Sequence, residues 1–298
     1  MATVTGNFFR HIELPQQKPQ DNGVLFPAVL STNHITVSTA IALGDFGEAI
    51  RAHKPWVESS LKKSGAILFR DYPSPSDFNN VVEAFGYPEL PYMGGRAART
   101  KVIGRVYSAN ESPPEEAIPF HHEMAYIPDF PTKLFFFCDE EPGAGGETPI
   151  VLSHIIYDKM KEKHPEFVAK LEEHELTYTD IAPDEDNSST FTGRGWKSTF
   201  KTDDKKVAVE RAAKLGGKLE WIGNAAKVIS APMPAISFGN GDPLPDDVIE
   251  DNFKILDEEC VAIPWKKDDI LFINKLMVLH GRRPLLKPPR RILASLCE

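Results

Sequence analysis

Cysteine is scarce: Cys138, Cys260 and Cys297 form an odd set of three with no paired spacing. That argues against a disulfide framework and against a cysteine-based metal site, and leaves packed, reduced thiols. Long apolar runs are also missing, since no stretch approaches the roughly 20 residues a helix needs to cross a bilayer. The opening segment MATVTGNFFRHIELPQQKPQ has no positive cap followed by an apolar core, and it is not Arg- or Ser-rich, so a cytoplasmic location is expected. Excess positive charge is absent as well. With a net charge of −9 and its acids scattered, the whole-molecule field repels nucleic acid and anionic membrane, and neither is expected as a partner. Any anionic ligand must be met by local cations. Finally, no Lys-Ser/Thr pair follows Gly143, Gly145 and Gly146, which makes that stretch a turn rather than a phosphate cradle, and no HExxH pattern supports a zinc hydrolase.

What is present suits a sizeable folded core. The 298 residues are 41% hydrophobic and 26% charged, close to globular averages, and enough for two average domains or one large β-rich domain. Residues 1–37 are Pro-rich and polar and read as an irregular surface segment, with the core over about 60–298. FGEAIRAHKPWVESSLKKSG has helical spacing ending at Gly65, AILFR reads as a buried strand, and PSPSDFNNVVEAFG gives a short helix ending at Gly86. From about residue 101 short β-type runs take over: KVIGRVYSA, IPFHHEMAY, KLFFFCDE and TPIVL. Helical segments at 153–174, broken by Pro165, and at about 203–214 interrupt them, and PDDVIEDNFKILDEEC precedes the closing runs. Strands that begin before an insertion of helices and resume after it predict a single domain over 1–298, a β-sandwich or jelly roll with helical decoration, rather than two tandem ones.

The run IPFHHEMAY places two histidines and a glutamate inside an apolar stretch. If residues 118–126 form a strand, alternation puts His121 and Glu123 on one face and His122 on the other with Phe120 and Met124. Most other histidines lie in polar or N-terminal segments; His280 instead closes the apolar run ILFINKLMVLH just before Gly-Arg. Two histidines and one carboxylate with open positions make the facial triad of non-haem Fe(II) oxygenases. A His-x-Glu pair alone is common, and a core histidine bonded to backbone is the ordinary alternative.

The surroundings add specificity. PFHHEM is followed by GGETPIVLSH, then by VLHGRRP and PPRRILASLC, with His280 lying 157 positions beyond Glu123. Together these motifs resemble the Fe(II)/2-oxoglutarate dioxygenases of the taurine dioxygenase superfamily, most closely the plant-type clavaminate synthase-like proteins, from about residue 24 onward. The resemblance implies a double-stranded β-helix core with flanking helices, a β-rich α+β fold. It implies iron ligation by His121, Glu123 and His280, with 2-oxoglutarate as co-substrate and O2 as oxidant. Thr148 would hydrogen-bond the far carboxylate of 2-oxoglutarate and Arg291 would pair with it. Strand alternation groups Arg290 with Ile292, Ala294 and Leu296, and Arg291 with Leu293 and Ser295; family position and register both favour Arg291, and a bulge would swap the two. Asn110 and Trp196 are further candidates for substrate contact. The expected reaction is hydroxylation of a small molecule with release of succinate and CO2.

Two departures qualify this expectation. Where taurine-oxidising members carry a second arginine, this chain has Ser295, so a sulfonate substrate is not expected, though Ser295 remains a candidate substrate contact. Near residue 236 the chain passes from MPAISF directly to GNGDPLP, where relatives have a further strand and a variable loop. A catalytically impaired protein that still binds metal and 2-oxoglutarate is therefore the alternative.

Overall fold

The structure is a computed structural model that describes residues 8–32, 45–70, 78–90, 92, 97, 99–109, 111–125, 127–187, 193–229 and 235–298. The chain begins with β1 (Phe9–His11), β2 (Lys18–Pro19), β3 (Leu25–Phe26), β4 (Ala28–Thr32), the helix α1 (Asp45–Ser64), β5 (Ala66–Phe69), α2 (Phe78–Phe85), β6 (Lys101–Ile103), β7 (Val106–Ser108) and β8 (Ile118–His121). It continues through β9 (Lys133–Glu140), β10 (Ala144–Gly145), β11 (Ile150–Leu152), α3 (Ser153–Lys163), α4 (Pro165–His174) and β12 (Leu176–Ala182). It closes with α5 (Trp196–Phe200), α6 (Lys205–Lys214), β13 (Lys218–Ile222), β14 (Ala225–Ile229), β15 (Ala235–Phe238), α7 (Asp246–Glu259), β16 (Ile270–Asn274), β17 (Val278–Arg282), β18 (Leu285–Lys287) and β19 (Arg291–Cys297).

Eight strands form the main sheet in the order β1-β4-β5-β16-β9-β19-β7-β6, and β11-β17-β8 form a smaller sheet. The central strands of the main sheet are buried on both faces, which is why KLFFFCDE and ILFIN read as unbroken apolar runs. Outward, Phe135, Phe137, Ile270, Phe272 and Leu293 pack under α1 and α2 through Ile50, Val57, Leu61, Val82 and Phe85. Inward, Leu134, Phe136, Cys138, Leu271, Ile273, Ile292, Ala294 and Leu296 meet Ile150, Leu152 and Val278 of the smaller sheet. The smaller sheet is covered in turn on its outer face, where Phe120, Val151 and Leu279 contact α3, α4 and α7. The result is a jelly-roll core with flanking helices, and the space between its two sheets is where β8, β17 and β19 point their inner side chains. A four-stranded sheet, β13-β14-β12-β15, is attached alongside. Among the described residues no helix is long and apolar enough to cross a membrane, and all three cysteines are buried and free.

The N-terminal segment departs from expectation. Among the described residues of 1–37 the chain forms four strands, and β4 lies in the main sheet, parallel to β5 with Ala28 opposite Ile67. Val29 and Leu30 are almost fully buried, so the core begins well before residue 60. The prolines around this short apolar run hide its β character from composition, whereas burial between sheet neighbours stabilises it.

Candidate metal centre

Histidines 121 and 280 face each other across the β8–β17 ladder, where they are direct partners. Their ring centroids are 4.3 Å apart. Gly281 makes this pairing possible: a Cβ there would lie 2.7 Å from the Ile118 carbonyl oxygen, at the point where the ladder shifts register. Strand β8 ends at His121, earlier than the expected 118–126, and Glu123 lies in the following turn, whose next residue, Met124, has a φ of 53° and a fully buried side chain. The turn, not strand alternation, therefore brings the carboxylate round. Glu123 Oε2 lies 3.9 Å from His121 Nε2 and 3.8 Å from His280 Nε2. One ligand atom from each of the three residues falls within 4.8 Å of the others.

The donor set fits a divalent metal. His121 Nδ1 lies 2.9 Å from the Pro119 carbonyl oxygen, which fixes the proton on Nδ1 and leaves the Nε2 lone pair facing the cluster. Burial pushes the His280 imidazole well below its usual range, with His121 and Arg99 adding to the effect, and so keeps it neutral as ligation requires. His122 points elsewhere, its Nδ1 2.5 Å from the Lys275 carbonyl oxygen.

A small cavity opens beside these three residues, also lined by Arg99, Phe136, Thr148, Arg282, Arg290 and Ile292. Thr148 is buried, and its hydroxyl accepts a 3.2 Å hydrogen bond from Trp265 Nε1, which leaves its own proton for a partner. Arg290 donates from Nε to the Gly146 carbonyl at 2.7 Å, and burial lowers its guanidinium to about 10, Arg282 adding to the effect. Gly146, with φ +68°, gives this side chain room: a Cβ would meet Arg290 Cδ at 2.7 Å. Arg282 is buried and donates to Ser112 Oγ and to the carbonyls of Pro113 and Glu116. Arg99 donates to Glu123 Oε2 at 2.9 Å.

Other expected site residues lie elsewhere. Arg291 is half-exposed and pairs with Asp139 at 2.9 Å, so the structure brings Arg290, not Arg291, to the cavity. The β19–β9 pairing shifts register between Arg291 and Ile292, and Arg290 falls on the inner side with Ile292. Alternation separates the two arginines, but both faces of β19 are apolar, so sequence alone does not say which face turns inward. Ser295 is fully buried on the outer side, between Leu293 and Cys297 of the helix-covered core. Trp196 is a packed aromatic: it is buried, T-shaped against Trp221, and its indole N–H donates to Asp184 and the Asn224 carbonyl. Asn110 lies outside the described residues. Arg290 is the alternative that a bulge brings inward, and the observed register shift does so; Arg99 was not expected, because it stands in no periodic pattern that would reveal its direction.

Two sheets enclosing a His/Glu/His cluster define a jelly roll of the kind seen in solved oxygenases. PvcB from Pseudomonas aeruginosa, described as an Fe, alpha-ketoglutarate dependent oxygenase from an isonitrile synthetic pathway, superposes with a TM-score of 0.53 at 13% identity, covering 99% of this chain and 93% of that one. The profile of the taurine catabolism dioxygenase TauD, TfdA family matches residues 30–297, and the chain belongs to that family. It is 49% identical to a clavaminate synthase-like protein of Arabidopsis thaliana over 322 aligned positions, covering 96% of this chain and 97% of the relative. It is 23% identical to the dapdiamide synthesis protein DdaC of Enterobacter agglomerans, with 87% and 89% covered.

Proposed function

We propose that this protein is a single-domain Fe(II)- and 2-oxoglutarate-dependent oxygenase that hydroxylates a small molecule. The observation that carries the reading is the convergence of His121, Glu123 and His280 on the cavity that also receives Thr148 and Arg290. When bound, Fe(II) together with 2-oxoglutarate and O2 supplies the oxidising power, with succinate and CO2 released.

The protein's own part is binding, orientation and exclusion of water. His121 and His280 offer Nε2, and Glu123 offers Oε2. Arg290, its Nε already held by Gly146, keeps its terminal N–H groups for the far carboxylate of 2-oxoglutarate, where a planar fork suits two parallel hydrogen bonds. The Thr148 hydroxyl donates to the same carboxylate, oriented by Trp265. Phe136 and Ile292 form the apolar wall, and the Phe136 ring lies tilted against the His280 ring, with centroids 5.2 Å apart, and limits its rotation. A small-molecule substrate is supported by the relatives, one of which is named for the synthesis of dapdiamide.

One observation favours a second reading, a metal- and 2-oxoglutarate-binding protein without turnover. The alignment to the Arabidopsis relative runs over 322 positions against 298 residues here, so that relative has residues with no counterpart in this chain. Anaerobic addition of Fe(II) and then 2-oxoglutarate should produce the visible charge-transfer band of the chelate. Exposure to O2 should then release succinate, even slowly without substrate. Band without succinate supports the second reading; no band rejects both.

A further inference from the structure

The cavity beside the metal cluster is lined by three guanidinium groups, from Arg99, Arg282 and Arg290, and by a single carboxylate, Glu123. Arg282 is held by Ser112 and backbone carbonyls, and Arg290 faces the space assigned to a dianion. Arg99 is different. It lies 2.9 Å from Glu123 Oε2, the oxygen that also faces both histidine Nε2 atoms, and both side chains of the pair are nearly fully buried. The guanidinium lies over the Tyr92 ring, 4.7 Å from its centroid, and its Nε is buried without a hydrogen-bond partner among the described residues. Arg99 therefore neutralises the carboxylate that a metal needs, from a position where a dication on the same oxygen would be a close like-charge neighbour in a poorly solvated space.

We propose that Arg99 is a positioning residue that holds metal affinity down until a dicarboxylate enters the cavity, so that metal and dicarboxylate bind cooperatively. This rests on the metal-centre reading above. Without an anion, a divalent ion on Glu123 Oε2 adds to the positive charge of Arg99 beside it, with Arg282 and Arg290 also lining the cavity, an excess that Glu123 alone opposes among the lining residues. A dianion at Arg290 and Thr148 removes that excess. Linkage then requires that each ligand tightens the other by the same factor.

The test is titration of the full-length protein with Mn(II), following free Mn(II) by electron paramagnetic resonance, with and without saturating N-oxalylglycine, an unreactive analogue of 2-oxoglutarate. In the wild type, the analogue should tighten Mn(II) binding at least about tenfold. In Arg99→Gln, Mn(II) alone should bind about tenfold more tightly than in the wild type, and the analogue should add correspondingly less. Arg99→Lys keeps the charge and should behave as the wild type. Equal or weaker Mn(II) binding by a folded Arg99→Gln, or an Arg99→Lys that behaves like Gln, overturns the proposal. If Arg99→Gln does not fold, absence of any analogue effect in the wild type overturns it equally. His121→Ala separates the two levels: it should abolish Mn(II) binding throughout, and unaltered binding in that variant would refute the metal-centre reading itself, whatever Arg99 does.

Discussion

His280 stands directly opposite His121 in the antiparallel pairing of β17 with β8, so one backbone ladder sets the distance between the two imidazoles. His122, next in the chain, is turned to the Lys275 carbonyl instead. This separation of adjacent histidines predicts that His121→Ala or His280→Ala abolishes Mn(II) binding in calorimetry, whereas His122→Ala retains it within a few-fold. Equal losses in all three would contradict the assignment of His122 to a structural contact.

The two neighbouring arginines of β19 are distinguishable in the same way. Arg290→Lys keeps charge but loses the fork, and should weaken N-oxalylglycine binding by roughly 10- to 100-fold, the value of a charge-assisted hydrogen bond. Arg291→Lys, at the exposed Asp139 pair, should leave that affinity within about twofold. The reverse ranking would restore Arg291 to the cavity.

Gly146 tests how Arg290 is held. An alanine there adopts a left-handed backbone and places its Cβ against Arg290 Cδ. Gly146→Ala is expected to lower stability by about 1–2 kcal/mol and to weaken the analogue at unchanged Mn(II) affinity. Unchanged analogue binding would show that Arg290 does not depend on this close approach.

The buried pair Arg70–Asp269 supports the sheet rather than the cavity. Arg70 Nη2 and Nε reach the two carboxylate oxygens at 2.5 and 3.0 Å, and Arg70 also donates to the Pro264 carbonyl. Arg70→Met should lower urea-unfolding stability by about 3–5 kcal/mol, because the carboxylate of Asp269 stays buried without its partner. Adding Asp269→Leu should recover much of that loss; a double variant as unstable as the single one would contradict this origin.

Burial lowers the Lys275 ammonium to about 8 from 10.5, while its side chain lies 3.6 Å from the Phe130 ring centroid. The folded chain thus sheds this proton before the unfolded chain does. Between about pH 8 and 10.5 the unfolded state binds more protons, so Lys275 makes stability rise with pH across that window. The wild type should gain on Lys275→Met between pH 7.5 and pH 10 in thermal unfolding; parallel pH profiles would remove Lys275 as the source.

Much of this architecture is written in local pattern. The apolar runs of β9 and β16, the break at Pro165 between α3 and α4, and the glycines ending α1 and α2 all follow from propensity and spacing. His121, Glu123 and His280 stand out because polar groups in apolar runs need a reason. The choice between Arg290 and Arg291 does not follow, because both faces of β19 are buried and no polar side marks the outside. Arg99 was silent for another cause: its direction comes from a long-range contact with Glu123, and nothing in its own neighbourhood encodes that. The strands of the N-terminal segment are likewise fixed by partners distant in the chain, as β4 is by β5.

The irregular start of β19 turns recognition of a dicarboxylate into a matter of counting residues. Between Lys287 and Ile292 a single insertion or deletion would reverse which guanidinium looks inward, while many changes of side chain would not. This corner is therefore more sensitive to altered length than to altered chemistry, the opposite of what holds for most surface connections in the fold.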